Sequence, residues 1–287
     1  MVHIKNDIIA RQKSKYIIPM YNREHEKEFT AINDVLQQFD PIGLDQMKEV
    51  KLMNRIDTKY VIPLSQLAPL LQIAAPDYFV QCTDGKRTAA YHTIYLDTTD
   101  HRMYNLHQAG RQVRQKIRIR EYLDTHTIFL EVKKKNNHGR TKKKRIEAPQ
   151  CSVEATDCIQ TLPEEAAPFI EAKSWFKLNA LRPHVENRFN RITLVNRAFT
   201  ERLTIDLGVA FHNTETGRDA DIEHLVIIEL KRDGATYSPM YNLLVRLHIH
   251  PGGFSKYCIG CALTNPELRR NNFKEKLHRI ERMKRQA

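Results

Sequence analysis

Charged and apolar residues alternate along one stretch of the chain, from Val113 to Lys135. Lys116, Arg118 and Arg120 are interleaved with Ile117 and Ile119, and the stretch ends in Ile128-Phe129-Leu130-Glu131-Val132-Lys133. Successive side chains of a β-strand point to opposite faces, so this period of two predicts two strands, each with a charged and an aliphatic face. The pattern returns in Arg55-Asp57-Lys59, in Arg202-Thr204-Asp206 and in Glu229-Lys231. One such strand alone would ordinarily turn its charge to water. Recurrence over several strands predicts a curled sheet whose charged faces share a lumen and whose aliphatic faces are covered outside.

Between the strands the period changes. Phe29, Ile32, Val35, Leu36 and Phe39 stand at helical spacing and predict a helix within 24–52, stopped at Asp40-Pro41-Ile42-Gly43, with a second short helix on Leu44 and Met47. A strand over 54–63 ends at Pro63. A capped helix from Ser65 to Leu71, a strand from Tyr91 to Thr98 and a helical turn within 101–110 follow. Asn136-Asn137-His138-Gly139 predicts a turn, leading into a basic hairpin partner over 141–148. Residues 151–177, which carry the single tryptophan, Trp175, are expected to be helical. Three more strands are expected over 182–195, 201–213 and 225–233, the last two joined as a hairpin through 214–217.

Helices are expected over 239–250 and again in the tail, where Phe273, Leu277 and Ile280 form an apolar stripe. That stripe would pack on the sheet, cover the lumen or meet an acidic surface. The expected fold class is therefore α+β, a mostly antiparallel eight-stranded β-barrel with flanking helices. Its expected divisions are an extension over 1–23, the barrel domain over 24–265 and a basic helix over 266–287.

Charge sharpens the picture. The chain holds 46 Lys and Arg against 34 Asp and Glu, a formal net charge of +12. Two like charges about 4 Å apart repel by about 4 kcal/mol at an effective dielectric near 20. A lumen crowded with cations therefore needs carboxylates or an anionic ligand among them, and guanidinium forks match phosphate oxygens in pairs. Specific nucleic-acid binding is not expected, because the cations converge on alternate strand positions and the sequence offers no RNP-like aromatic platform. No apolar run approaches the roughly 20 residues needed to span a bilayer, which leaves peripheral membrane contact open. Five cysteines, an odd number with no secretory signal before them, point to a reduced, cytoplasmic setting. Cys258-Ile259-Gly260-Cys261 has metal-ligand spacing without a second pair and reads as buried thiols. His248 and His250 read as solvated or packed.

In chain order, Thr58-Lys59-Tyr60, Tyr95-Leu96-Asp97-Thr98, Lys116-x-Arg118-x-Arg120, Glu131-x-Lys133, Arg202-x-Thr204-x-Asp206, Glu229-x-Lys231 and Ser255-Lys256-Tyr257 resemble the polyphosphate polymerase (VTC) family. That family is a branch of the triphosphate tunnel metalloenzymes, related to the CYTH group, and the resemblance covers roughly Asn54 to Cys261. It implies an ATP-polyphosphate phosphotransferase that adds the ATP γ-phosphate to a growing chain, with ATP and polyphosphate or pyrophosphate as ligands and Mn²⁺ or Mg²⁺ required. By the same resemblance Arg118, Arg120, Arg191 and Lys256 would serve the transfer. Lys59, Lys116, Lys133, one of Lys142 to Lys144 (taken as Lys143), Arg202 and Lys231 would hold phosphates, and Glu229, helped by Glu131, the metal. One departure stands out. Hydrolysing tunnel enzymes resemble Glu-x-Glu-x-Lys on the first strand, whereas this chain has Arg55-x-Asp57-x-Lys59. A lost carboxylate weakens activation of water, which favours a polymerase over the alternatives, a tunnel triphosphatase or a silent polyphosphate-binding module.

Overall fold

The alternation read in the sequence becomes the two faces of one sheet. The computed structural model describes residues 25–50, 55–234 and 236–285; the expected extension over 1–23 lies outside them. The elements in chain order are α1 (Glu26–Leu36), β1 (Asp40–Ile42), β2 (Arg55–Pro63), α2 (Leu67–Ala74), β3 (Tyr78–Gln81) and β4 (Ala89–Thr98). Next come α3 (Arg102–Gln108), β5 (Arg114–Tyr122), β6 (Thr127–Lys135), β7 (Thr141–Glu147), α4 (Ala166–Lys173) and β8 (Leu181–Asn196). The chain continues through β9 (Glu201–Asn213), β10 (Asp219–Asp221), β11 (Leu225–Asp233), α5 (Pro239–Arg246), α6 (Lys256–Thr264) and α7 (Lys274–Lys284).

The main sheet runs β2-β11-β9-β8-β4-β5-β6-β7 and is antiparallel at every step. Eight strands and a mixed α+β composition were expected; full closure was not reached. Among the described residues β2 and β7, the two ends of the path, do not pair, so the barrel is a half-barrel. Each end is protected in its own way. The β2 edge is capped by the Gly252 N–H, which donates to the Lys59 carbonyl at 2.7 Å, and by Arg279 Nη2, which donates to the Val61 carbonyl at 3.0 Å. The β7 edge is largely exposed and carries four consecutive cations, Lys142 to Arg145, which discourages pairing with another strand.

Register explains which residues share the concave face. Lys116 lies opposite Lys133, Arg118 opposite Glu131 and Lys143 opposite Lys133, while Glu229 pairs with Lys59 and Arg191 with Asp206. The intervening Ile117, Ile119, Leu130 and Val132 are buried with Cys151, Cys158, Ala166 and Ile170 on the convex side. On the other half of the sheet, Tyr60, Ile62, Leu203, Ile205, Ile228 and Leu230 pack with Leu67, Leu70 and Leu71 of α2, Phe29 and Ile32 of α1 and Leu244 of α5. Each aliphatic side chain so buried contributes about 1.5–3 kcal/mol.

Several expectations are corrected here. Residues 151–165 are turns rather than helix, so only α4 forms in that segment, although the segment still covers the sheet. Ser65 does not cap a helix: a 3-10 turn over Leu64–Gln66 precedes α2, which has no side-chain cap bond. The short strands β1, β3 and β10 carried too few residues to show a period. The tail helix packs: Ile280 and Phe273 are buried, and Phe273 lies 5.7 Å from the Tyr104 ring.

Helix α6 sits inside the curl. A β-carbon on Gly260 would lie 2.6 Å from Phe211 and 2.9 Å from Val185, so only glycine lets the helix approach the sheet this closely. Tyr257 of α6 bonds Asp97, whose carboxylate also accepts the Met103 and Tyr104 N–H groups at 2.9 Å. One end of the concave face is thereby plugged by apolar packing, and the charged end is left open.

Candidate functional site

Strand alternation alone would leave a crowd of cations on the concave face. Three carboxylates divide that crowd. Glu229 accepts from Lys59 through one oxygen and from Lys231 through the other. Glu131, 1% exposed, accepts from Arg118 at 2.7 Å and from Lys143 at 2.8 Å, again with one oxygen for each. Asp206 takes a bidentate pair from Arg191 at 2.6 and 2.8 Å and a further bond from Lys256. Each of these three acids thus answers two cations, and the cations exceed what the acids neutralise.

Ring faces and hydroxyls position the cations further, including two that already answer Asp206. Arg120, 6% exposed, donates to Thr93 Oγ1 at 3.2 Å and lies over the Tyr91 and Phe189 rings at 5.2 and 5.7 Å. Arg191 lies over the same two rings at 5.0 and 5.3 Å, and Lys256 over Phe189 at 4.1 Å. Tyr91 and Phe189 stack at 5.1 Å, so two aromatic faces hold three cations by cation–π attraction. Lys116 donates to Ser255 Oγ at 2.9 Å, the same hydroxyl that caps α6. Lys133 stands between Lys116 and Lys143 in register. Among the described residues the buried Nε of Arg202 has no hydrogen-bond partner.

The structure therefore brings Lys59, Lys116, Arg118, Arg120, Glu131, Lys133, Lys143, Arg191, Arg202, Glu229, Lys231 and Lys256 onto one concave surface. Of the 142–144 run only Lys143 points inward, because strand alternation turns Lys142 and Lys144 to the other face. Arg55 closes on Asp57 at 2.6 Å, so the first-strand carboxylate is already neutralised. Asp206 was visible as part of a period but was not assigned a role; its pairing depends on β8, fifteen residues earlier in the chain. Tyr91 and Phe189 gave no signal beyond being aromatic residues on strands.

Beside the arginines lies a cavity of about 380 Å³ whose lining includes Tyr91, Tyr122, Phe129, Arg145 and Arg191. It presents apolar ring faces next to guanidinium groups. Arg145 itself lies 4.0 Å over the Phe129 ring.

Crowding moves the proton affinities. Burial opposes ionisation of Glu131, but Arg118 and Arg120 hold its pKa down to about 2. Burial likewise opposes ionisation of Asp206 and Glu229; Arg191 and Lys256 hold the first well below the usual carboxylate range, and Lys59 and Lys231 the second. Among the lysines burial dominates, pushing Lys256 down to about 7 and Lys116 and Lys231 to about 8. An anion placed among them would favour their charged forms.

A pH dependence follows with opposite signs for two properties. These lysines have folded pKa values depressed below the ordinary 10.5. Between about pH 7 and 10 the unfolded chain therefore binds more protons than the folded one, and their contribution to stability rises with pH. Over the same range the cleft loses positive charge. Tripolyphosphate affinity is expected to fall by about 10-fold or more from pH 6.5 to 8.5, the scale of one lost charge-assisted hydrogen bond. Calorimetry at both pH values checks this, and a flat profile would contradict it.

A family model described as the VTC domain matches residues 54–265. Comparison with curated proteins gives no match. Among solved structures, the chain is similar to HpAC1 of Hippeastrum, described as an adenylyl cyclase with a dominant triphosphatase activity. The identity is 15%, the coverage 73% of this chain and 96% of that chain, and the TM-score 0.47. It is also similar to a protein of Bacillus halodurans described as an adenylate cyclase, at 15% identity, 71% and 96% coverage and TM-score 0.43. A conserved protein of Pyrococcus furiosus is similar at 11% identity, 71% and 99% coverage and TM-score 0.38.

Proposed function

Since the chain belongs to the VTC domain family, we propose that it is a metal-dependent polyphosphate polymerase, transferring the ATP γ-phosphate onto a polyphosphate or pyrophosphate end. The observation that carries this reading is the concave face itself. Its cations come from several strands and a helix, are fixed by shared carboxylates and ring faces, and exceed the local negative charge. Phosphoryl transfer asks a protein mainly to hold the two oxygens in line and to neutralise charge spread over the transferred group. Preorganised Arg and Lys supply that neutralisation without reorganising as charge develops.

Arg118, Arg120 and Arg191 would clamp the reacting phosphates, with Lys256 beside them. Lys59, Lys116, Lys133, Lys143, Arg202 and Lys231 would carry the rest of the phosphate string. The aromatic cavity next to Arg191 suits the nucleoside end of ATP better than a bare phosphate chain. The attacking group is then a terminal phosphate oxygen that already bears charge, so no general base is needed.

Divalent metal fits one part of this cleft. Glu229 is ionised and offers oxygen donors, and Mg²⁺ or Mn²⁺ in such sites is held by one or two carboxylates together with substrate phosphates. The ion would supply neutralisation of the bridging and terminal phosphate oxygens. Both carboxylates have their oxygens engaged, Glu229 by Lys59 and Lys231 and Glu131 by Arg118 and Lys143. Glu229 is 17% exposed and answered by flexible lysines that can turn to substrate phosphate, whereas Glu131 is 1% exposed and held by a guanidinium, which favours a positioning role for Glu131 over the ligand role implied by the resemblance. Asp57, closed on Arg55, contributes little further, and this supports transfer to an anionic acceptor over activation of water.

The test is incubation of the purified protein with ATP and Mn²⁺ or Mg²⁺. Chains retained on a gel and digested by an exopolyphosphatase, with ADP released, are expected. Inorganic phosphate as the sole product would assign a hydrolase instead, and absence of turnover with either metal would leave a binding module.

A further inference from the structure

A second cluster lies apart from the phosphate cleft, where β8, the β9–β10 turn and the turn before α3 meet. The antiparallel register of β8 on β4 breaks here: Tyr95 pairs with Val185 and Leu96 with Pro183, so His184 is the extra residue of a β-bulge. A bulge re-aims the side chain it carries. His184 is 4% exposed; its ring faces the Thr98 backbone and Glu215, and among the described residues neither ring nitrogen has a hydrogen-bond partner within 3.5 Å. Its ring stands 4.4 Å from that of His101, which holds a left-handed backbone at φ 53° and whose buried Nδ1 is also unpartnered.

The third member is Glu215. Its Oε2 lies 3.2 Å from His101 Nε2 and 3.6 Å from His184 Nδ1. Ligands on a tetrahedral zinc with bonds of about 2 Å stand about 3.3 Å apart. One donor atom from each residue lies within 4.8 Å of the other two. Asn265, just beyond α6, reaches Glu215 Oε2 at 3.5 Å and helps hold the carboxylate.

We propose that His101, His184 and Glu215 form a binding site for a zinc-class divalent cation, with solvent as the fourth ligand on the half-exposed Glu215 side. Two imidazoles and one carboxylate suit zinc and its d-block neighbours, whereas a carboxylate acting with substrate phosphates, as proposed at Glu229, suits magnesium or manganese. The two sites therefore sort metals by ligand type. The ion would tie three segments distant in sequence to the plugged end of the half-barrel, where Asn213 and Thr216 already bond Thr264 of α6. Its role is to brace the scaffold behind the phosphate cleft.

The test uses the full chain stripped with chelator and dialysed. Titration with Co²⁺, followed by its visible absorption and displaced by Zn²⁺, should give one equivalent per chain with the spectrum of a four-coordinate site. Zn²⁺ should raise Tm, and Mg²⁺ should not reproduce the shift. Glu215→Gln is isosteric and half-exposed, and His101→Ala leaves the sheet intact; each should weaken zinc binding by at least about 100-fold while keeping the native circular dichroism spectrum. Absence of stoichiometric binding overturns the assignment. So does zinc binding of wild-type strength in both variants, which would place the ion elsewhere, as at Cys258 and Cys261.

Discussion

Replacing Asp206 with Asn is expected to destabilise the protein by about 3–5 kcal/mol, the usual cost of breaking a buried charge pair from one side. Asp206 is 4% exposed and answers both Arg191 and Lys256. The amide would leave the guanidinium without its bidentate partner and the ammonium facing it. Typical domain stability is about 5–15 kcal/mol, so the loss would consume a large share of it. Because the deficit is one of negative charge, tripolyphosphate should restore more stability to Asp206→Asn than it adds to the wild type. Denaturant titration with and without the anion measures both effects; a loss under about 1 kcal/mol would show that Asp206 is not the internal counterion.

Glu229→Gln should separate binding from turnover. Lys59 and Lys231 are both engaged by this carboxylate, and its loss releases them for phosphate. Tripolyphosphate should then bind several-fold more tightly in the absence of metal. Metal-dependent turnover should fall about 100- to 1000-fold, the scale seen when a charge-stabilising group is removed from a reacting centre. Arg118→Ala gives the contrasting outcome, weakening both binding and turnover. If Glu229→Gln retains full activity, the metal is held elsewhere.

The concave surface was legible in the sequence because a charged residue at every second position has one structural meaning in a strand. Lys116, Arg118 and Arg120 share a face whatever the neighbouring strands do. Within the basic run 142–144 the sequence left the inward lysine open, and the register of β7 on β6 decides for Lys143. What the pattern could not convey is which acid answers which base. Asp206 meets Arg191 and Lys256 only because β8 and β9 pair at that register and α6 folds into the curl. Openness of the half-barrel was hidden for a similar reason, since it depends on whether β2 and β7, at opposite ends of the sheet, reach one another. Residues 151–165 were misread because their apolar residues cover the sheet from turns, with no helix to give them a period. His101, His184 and Glu215 are far apart in sequence, and a bulge, which carries no local signal, aims the central one.

The central claim is that phosphate is held by the inward cations and not by overall charge. Lys143 and Lys144 are adjacent on β7, carry the same charge and point to opposite faces. Polyphosphate affinity of Lys143→Ala and Lys144→Ala, measured side by side at one ionic strength, tests the claim most directly. A loss of about 10-fold for Lys143→Ala, with Lys144→Ala matching the wild type, is the expected result; equal losses in the two variants would contradict it.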